Sequence, residues 1–245
     1  MKNTINNGLK AKRIVLLGGS SGIGLATALA AAREGAAIVI VSSSQQRIED
    51  ALSILPKNTQ GFAADLGEET QVEALFKKIG KFDHLVFTAG DQLKFSELSA
   101  LNIDEAKKSI HLRFWGSIMA AKYGAPLIRK GGSITLTTGA IGKRPRSGTV
   151  VIAGMASAID GLTRSLAFEL APIRVNAVCV GTVRTNLLAN MPEPDREALF
   201  NKIGSQLLTG KVGDADDLAE AYVYLMRGGF TTGQVIVADG GSLLV

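Results

Sequence analysis

Eleven residues near the start, Ile14-Val-Leu-Leu-Gly18-Gly-Ser-Ser-Gly22-Ile-Gly24, run from an apolar stretch through a glycine turn into a helical pattern. A strand–turn–helix of this kind aims backbone N–H groups and the positive end of a helix at a pyrophosphate. A Cβ at the closest points would block the approach, which is the use of Gly18, Gly22 and Gly24; Ser20, Ser21 and Ile23 lie between them. A glycine turn without a ligand shares this pattern, but its position in the first strand–helix unit favours a dinucleotide.

The second apolar stretch ends Val41-Ser42-Ser43-Ser44, with Arg47 shortly after. An NAD site carries an acid there, hydrogen-bonded to the ribose 2′-OH. Three hydroxyls and a cation instead suit a 2′-phosphate, so NADP is preferred over NAD. The serines could equally cap the next helix, and the two roles are compatible. The other chemistry-bearing residues say less. His84 and His111 have no evident nucleophile or metal partner, Cys179 sits in an apolar run, and no Cys/His spacing suggests zinc.

These groups need a frame to hold them. Ile14 to Leu17, Ile38 to Val41, Leu85 to Phe87, Ile134 to Leu136, Val175 to Val180 and Val235 to Val237 are short apolar runs, as expected of strands buried on both faces of a parallel sheet. Helical patterns lie between them: Gly22 to Glu34, Arg47 to Leu55, Thr70 to Ile79, Asp104 to Ala125, Val151 to Leu170 and Asp216 to Met226. Alternation of this kind predicts a single α/β domain over residues 1–245, a Rossmann-like doubly wound parallel sheet with helices on both faces. No linker or repeat divides it.

Composition narrows the partners. The net charge is +5 and the pI ≈ 9.3, yet Lys and Arg are spread along the chain without a basic helix, so nucleic acid is not expected as a partner. No run approaches the roughly 18 unbroken apolar residues of a membrane span. The polar stretch from Met1 to Lys12 lacks a signal-like apolar core, and a single cysteine rules out an internal disulfide, so a cytoplasmic location is expected.

The spacing G-x-x-x-G-x-G resembles the short-chain dehydrogenase/reductase family, and other landmarks follow in family order. Asp65-Leu66 resembles the pair that holds the adenine ring. Thr88-Ala89-Gly90 resembles the end of the family's Asn-Asn-Ala-Gly. Ile173-Arg-Val-Asn-Ala-Val-Cys-Val-Gly181-Thr-Val-Arg-Thr185 resembles the segment that clasps the nicotinamide carboxamide, with Val180 where proline is usual. Thr232-Gly233 to Asp239-Gly240-Gly241 resembles the C-terminal signature. The resemblance implies a cofactor site that includes Ala89, Gly90, Gly181, Val183 and Thr185. It also implies a homotetramer or homodimer, built by pairing the helices Asp104 to Ala125 and Val151 to Leu170 across two-fold axes.

The family's chemistry needs an asparagine, a serine, a tyrosine and a lysine. Counting from neighbouring motifs, these positions fall on Arg113, Gly139, Ile152 and Ala156. All four are replaced. An isoleucine cannot transfer a proton and an alanine cannot shift a neighbour's pKa. In their place stand Arg113, Thr138, Lys143, Arg144, Arg146, Ser147 and Thr149, at segments that border the family's substrate pocket. Arg113 and Thr138 become the candidate catalytic residues, with the arginine suited to an anionic ligand. Alternatively, Lys143 to Arg146 form a solvated loop and Arg113 pairs with an acid such as Asp104 or Glu105. Two readings stand: an NADP-linked oxidoreductase of atypical mechanism, acting on a small carbonyl or hydroxyl substrate, or a dinucleotide-binding sensor or structural subunit without turnover.

Overall fold

The computed structural model describes residues 8–90, 93–185 and 191–245. The first seven residues of the polar N-terminal stretch lie outside them. Strand β1 (Arg13–Leu17) is followed by α1 (Gly22–Arg33), β2 (Ala37–Ser42), α2 (Gln45–Ile54), β3 (Gln60–Ala63), α3 (Glu69–Ile79) and β4 (Phe82–Phe87). The second half holds α4 (Ile103–His111), α5 (Ser117–Gly124), β5 (Ile128–Gly139), α6 (Val150–Glu169) and β6 (Arg174–Val180). It then runs through β7 (Val183–Arg184), α7 (Glu193–Gly204), β8 (Gly213–Asp214), α8 (Ala215–Arg227) and β9 (Val235–Ala238). Seven parallel strands pair in the order β3-β2-β1-β4-β5-β6-β9, while β7 and β8 form a separate short ladder. The order reverses between β1 and β4. That switch point opens a crevice at the carboxyl ends of the strands, where such folds bind ligands.

The sheet is apolar on both faces because it is covered on both. On one side Val72, Leu75, Phe76 and Ile79 of α3, Met119, Ala120 and Ala121 of α5, and Ile159 of α6 pack on Val15, Leu17, Leu85, Ile134 and Val175. On the other, alanines of α1, Ile48 and Ala51 of α2, and Leu218, Ala219, Tyr222 and Val223 of α8 cover Ile14, Leu16, Ile38, Ile40 and Val178. Each fully buried Leu, Ile or Val contributes about 1.5–3 kcal/mol relative to exposure. By length and composition α6 would also match a membrane span, but its Ile152, Ala153, Ala156, Ile159 and Thr163 are buried in the fold.

Three features differ from the sequence reading. The stretch Asp104 to Ala125 is not one helix: α4 and α5 meet in a π-turn, Leu112–Gly116, that contains Arg113. Strand β3 was not among the apolar runs read as strands, and helix α7 and the short β7 and β8 were not among the expected elements. In addition, α2 starts two residues early because the Ser44 hydroxyl accepts the Arg47 amide proton at 3.3 Å and so caps the helix.

One histidine is locked into this frame. His84 of β4 is 3% exposed, with Nδ1 2.9 Å from Ser133 Oγ, and burial lowers its pKa from 6.5 to about 4, with the Arg174 charge adding to the effect. Below pH 6.5 the unfolded chain takes up a proton that the folded protein refuses until about pH 4, so stability falls across that window and is unaffected by this group above it. A shift of that size amounts to about 3 kcal/mol. Urea unfolding at pH 7 and pH 4 should show His84→Asn losing about that much less than the parent; equal losses in both proteins would rule His84 out as the acid-sensitive group.

Candidate cofactor and substrate site

The phosphate turn is built by close backbone approach. Gly18 has φ +91°, donates its amide to Val41 O at 2.9 Å, and would place a Cβ 2.5 Å from Ala89 N. A Cβ on Gly24 would overlap Gly18 O and lie 2.5 Å from Thr88 Oγ1. Gly22, at φ +50°, faces Thr185, whose nearest atom would be 3.6 Å from a Cβ there. The Ser21 side chain does not cap α1, and the first-turn amides of a helix suit an anion. A cradle closed to side chains and lined with helix amides fits a dinucleotide pyrophosphate.

The turn expected at the adenine follows β3. Asp65 Oδ1 accepts the Gly67 amide at 2.8 Å, Gln71 Oε1 accepts that of Asp65 at 2.9 Å, and Leu66 is buried. At the end of β2, Ser42 is buried and its Oγ accepts the Ser44 amide at 3.3 Å, while Ser43 and Arg47 are exposed beside it. Ser44 is the helix cap, the second of the two roles expected of the serine run.

After β4, the amides of Thr88 and Ala89 both donate to Leu17 O, at 2.8 and 2.9 Å. The segment Ile173 to Thr185 divides in two. Its beginning is a clamp: the Arg174 guanidinium donates to Leu225 O, Met226 O and Thr231 O, and Asn176 Nδ2 donates to Thr231 O at 2.9 Å. Its end reaches the site, with Gly181 against Asp239 and Thr185 beside Gly22. Val183 pairs with Gly213, and Arg184 binds Glu197 at 2.6 Å under the Phe200 ring, which ties α7 to this wall.

The four replaced positions lie on three elements. Gly139 ends β5, and Ile152 and Ala156 are buried on α6. The Thr138 hydroxyl donates to Ala156 O at 2.8 Å and is buried, so its proton is held by the helix backbone. Arg113 leaves the π-turn with its guanidinium packed on Gly90: a Cβ there would overlap it. Asp104 pairs with Lys107 at 3.5 Å and Glu105 with Lys94 at 3.2 Å.

The basic loop is largely tied down. Lys143 binds Asp160 at 2.9 Å, which raises the lysine pKa, and Arg144 donates to Ser242 O at 2.9 Å. Ser147 donates to Glu97, and Thr149 Oγ1 donates to Arg146 O at 2.5 Å. Ser242 is itself set by Asp239, whose carboxylate accepts from the Gly241 and Leu243 amides and the Ser242 hydroxyl. Lys143 and Arg144 thus tie this loop to α6 and to the C-terminal turn.

Sequence reasoning missed the bond from His111 to Gly67 O and the buried pair of Tyr222 and Thr137. In that pair the hydroxyls lie 2.7 Å apart and Thr137 donates to Phe87 O at 2.7 Å; burial pushes the phenol pKa up. Nothing in the apolar pattern of α8 marks Tyr222 apart from its residue type. Burial holds the Cys179 thiol at about 11, which keeps it protonated. Among the described residues, no cluster of His, Cys, Asp and Glu could hold a metal.

The fold and turn geometry define the class of protein, and comparison with known proteins gives the family. Residues 5–245 match the model for an SDR-like Rossmann domain, and the chain belongs to the short-chain dehydrogenase/reductase family. The short-chain dehydrogenase/reductase ATR9 of Stachybotrys chlorohalonatus is 39% identical over 256 residues, covering 96% of this chain and 98% of that one. A solved small-chain dehydrogenase in complex with NADPH is 35% identical, covers 96% of this chain and 100% of its own, and has a TM-score of 0.82. The MalC reductase/Diels-Alderase of Malbranchea aurantiaca has a TM-score of 0.91 at 29% identity, with 98% and 100% covered. Family membership and the NADPH-bound relative support binding of a nicotinamide dinucleotide, and the protein is a member of an oxidoreductase family.

Proposed function

We propose that this protein is an NADPH-dependent reductase of atypical mechanism, acting on a small carbonyl compound that carries negative charge. The observation that carries the reading is the Arg113 guanidinium packed on Gly90, at the end of the strand that borders the nicotinamide half of the site. The residues of the glycine turn would hold NADPH, which when bound would supply a hydride. Arg113 would place a fixed positive charge near the carbonyl oxygen or a substrate carboxylate. The guanidinium stays protonated, so the proton for the oxygen comes from water or from the substrate itself. Ile152, Ala156 and Gly139 stand where the family keeps its proton-handling side chains, and none of the three can exchange a proton.

Preference for NADPH rests on the absence of an acid at the end of β2, and the NADPH-bound relative supports it. Calorimetric titration tests it: the protein should bind NADPH more tightly than NADH. Ser42→Asp should weaken NADPH about tenfold or more through repulsion of the 2′-phosphate, since an aspartate there can still accept the Ser44 amide. Preference for NADH in the parent would overturn the assignment. We also expect a homodimer or homotetramer, in which α6 packs closely on its copy through Gly154 and Gly161, where a Cβ would meet nothing within 4 Å.

The likeness to the MalC reductase/Diels-Alderase gives a second reading some support. A cycloaddition needs a shaped pocket and no proton donor, and the three apolar replacements on β5 and α6 are compatible with it.

A further inference from the structure

We propose that His111 is a positioning residue for the adenine half of the dinucleotide, a role that rests on the dinucleotide-binding reading of this site. The turn 65–67 that would face the adenine is held on three sides. Asp65 Oδ1 accepts the Gly67 amide from within the turn, at 2.8 Å. Gln71 Oε1 of α3 accepts the Asp65 amide from below, at 2.9 Å. His111, the last residue of α4, reaches across 44 positions of sequence to bring Nε2 within 3.0 Å of Gly67 O. A carbonyl oxygen only accepts, so Nε2 carries the proton; the neutral ring in that tautomer and the cation both make the bond.

The fit around this contact is close. A Cβ on Gly67 would lie 3.3 Å from His111 Cδ2, and one on Gly116 would lie 3.0 Å from Leu66 O. The π-turn and the adenine turn therefore touch at two points, one at each end of Leu112–Gly116. Two residues beyond His111 stands Arg113, so one short segment sets the adenine wall and carries the cation at the nicotinamide wall. In the free protein the imidazole is exposed and water competes for Gly67 O. A ligand lying over the turn would exclude that water and strengthen the bond where it is needed.

The probes are NADPH and adenosine 2′,5′-bisphosphate, titrated calorimetrically into the parent, His111→Ala and His111→Gln. Loss of one exposed neutral hydrogen bond should weaken both ligands in the alanine variant by the same factor, about three- to tenfold. Glutamine, whose side-chain amide can donate to the same carbonyl, should recover most of that loss. The thermal midpoint of the ligand-free variants should stay near the parent's, since the contact is exposed there. Unchanged bisphosphate affinity in His111→Ala overturns the proposal, as does an equal loss in His111→Gln. A parent protein that binds neither probe instead overturns the dinucleotide-binding reading on which the proposal stands.

Discussion

Replacing Arg113 with alanine is expected to cut reduction of a carboxylate-bearing ketone by about a hundredfold or more while NADPH binds nearly as before. Removing one donor aimed at a developing oxyanion typically has an effect of that size. The expectation comes from where the guanidinium is, packed on Gly90. Gly90→Ala provides an independent approach to the same group. Its methyl would occupy the guanidinium's place, and because an arginine is flexible the side chain would swing away rather than break the fold. That variant should reproduce much of the Arg113→Ala loss. Steady-state rates and NADPH titrations on both, with matched neutral and anionic ketones, give the answer. Full activity in Arg113→Ala would remove its role. Brisk reduction of neutral ketones by the parent would show a proton donor outside the residues considered.

Gly24→Ala should abolish measurable NADPH binding, a loss of at least about a hundredfold, and lower stability by about 1–3 kcal/mol. The added methyl would overlap Gly18 O and press on Thr88 Oγ1, a group that already donates to Leu17 O at 3.2 Å. Backbone on one side and a hydrogen-bonded side chain on the other leave little room to yield, so α1 must move off the turn and carry its amides out of reach of the pyrophosphate. Titration with NADPH and urea unfolding separate the two effects. Tight binding by this variant would mean that α1 does not seat the phosphates.

Most of the frame was legible because burial on both faces writes itself as uninterrupted apolar runs, as in Ile14 to Leu17 and Val175 to Val180. Strand β3 is the exception for the same reason. It is an edge strand, Gln60–Ala63, with exposed or half-buried positions, so no apolar run marks it. Helix α7 begins at Pro192-Glu193-Pro194 and buries only Phe200 and Gly204, too narrow a stripe to read. The phosphate turn could be read because glycine is demanded there by backbone geometry. The fates of the basic loop could not. Lys143 meets Asp160 across 17 positions and Arg144 meets Ser242 across 98, contacts that only the folded chain brings together. Thr138 likewise reads as an available hydroxyl until α6 places Ala156 O above it.

The π-turn at Leu112–Gly116 has a consequence for phase. An α-helix advances about 100° per residue, so the additional residue in a π-turn rotates the helix before it by about that much against the helix after it. In α5, Ser117, Met119, Ala120, Ala121 and Gly124 are buried, whereas α4 has no buried residue and brings His111 to the adenine turn. An uninterrupted helix fixed by the α5 core would swing His111 away from Gly67. Deleting one residue within the turn would therefore leave both helices intact and put them out of step, with Arg113 at the point where the two halves lose their timing.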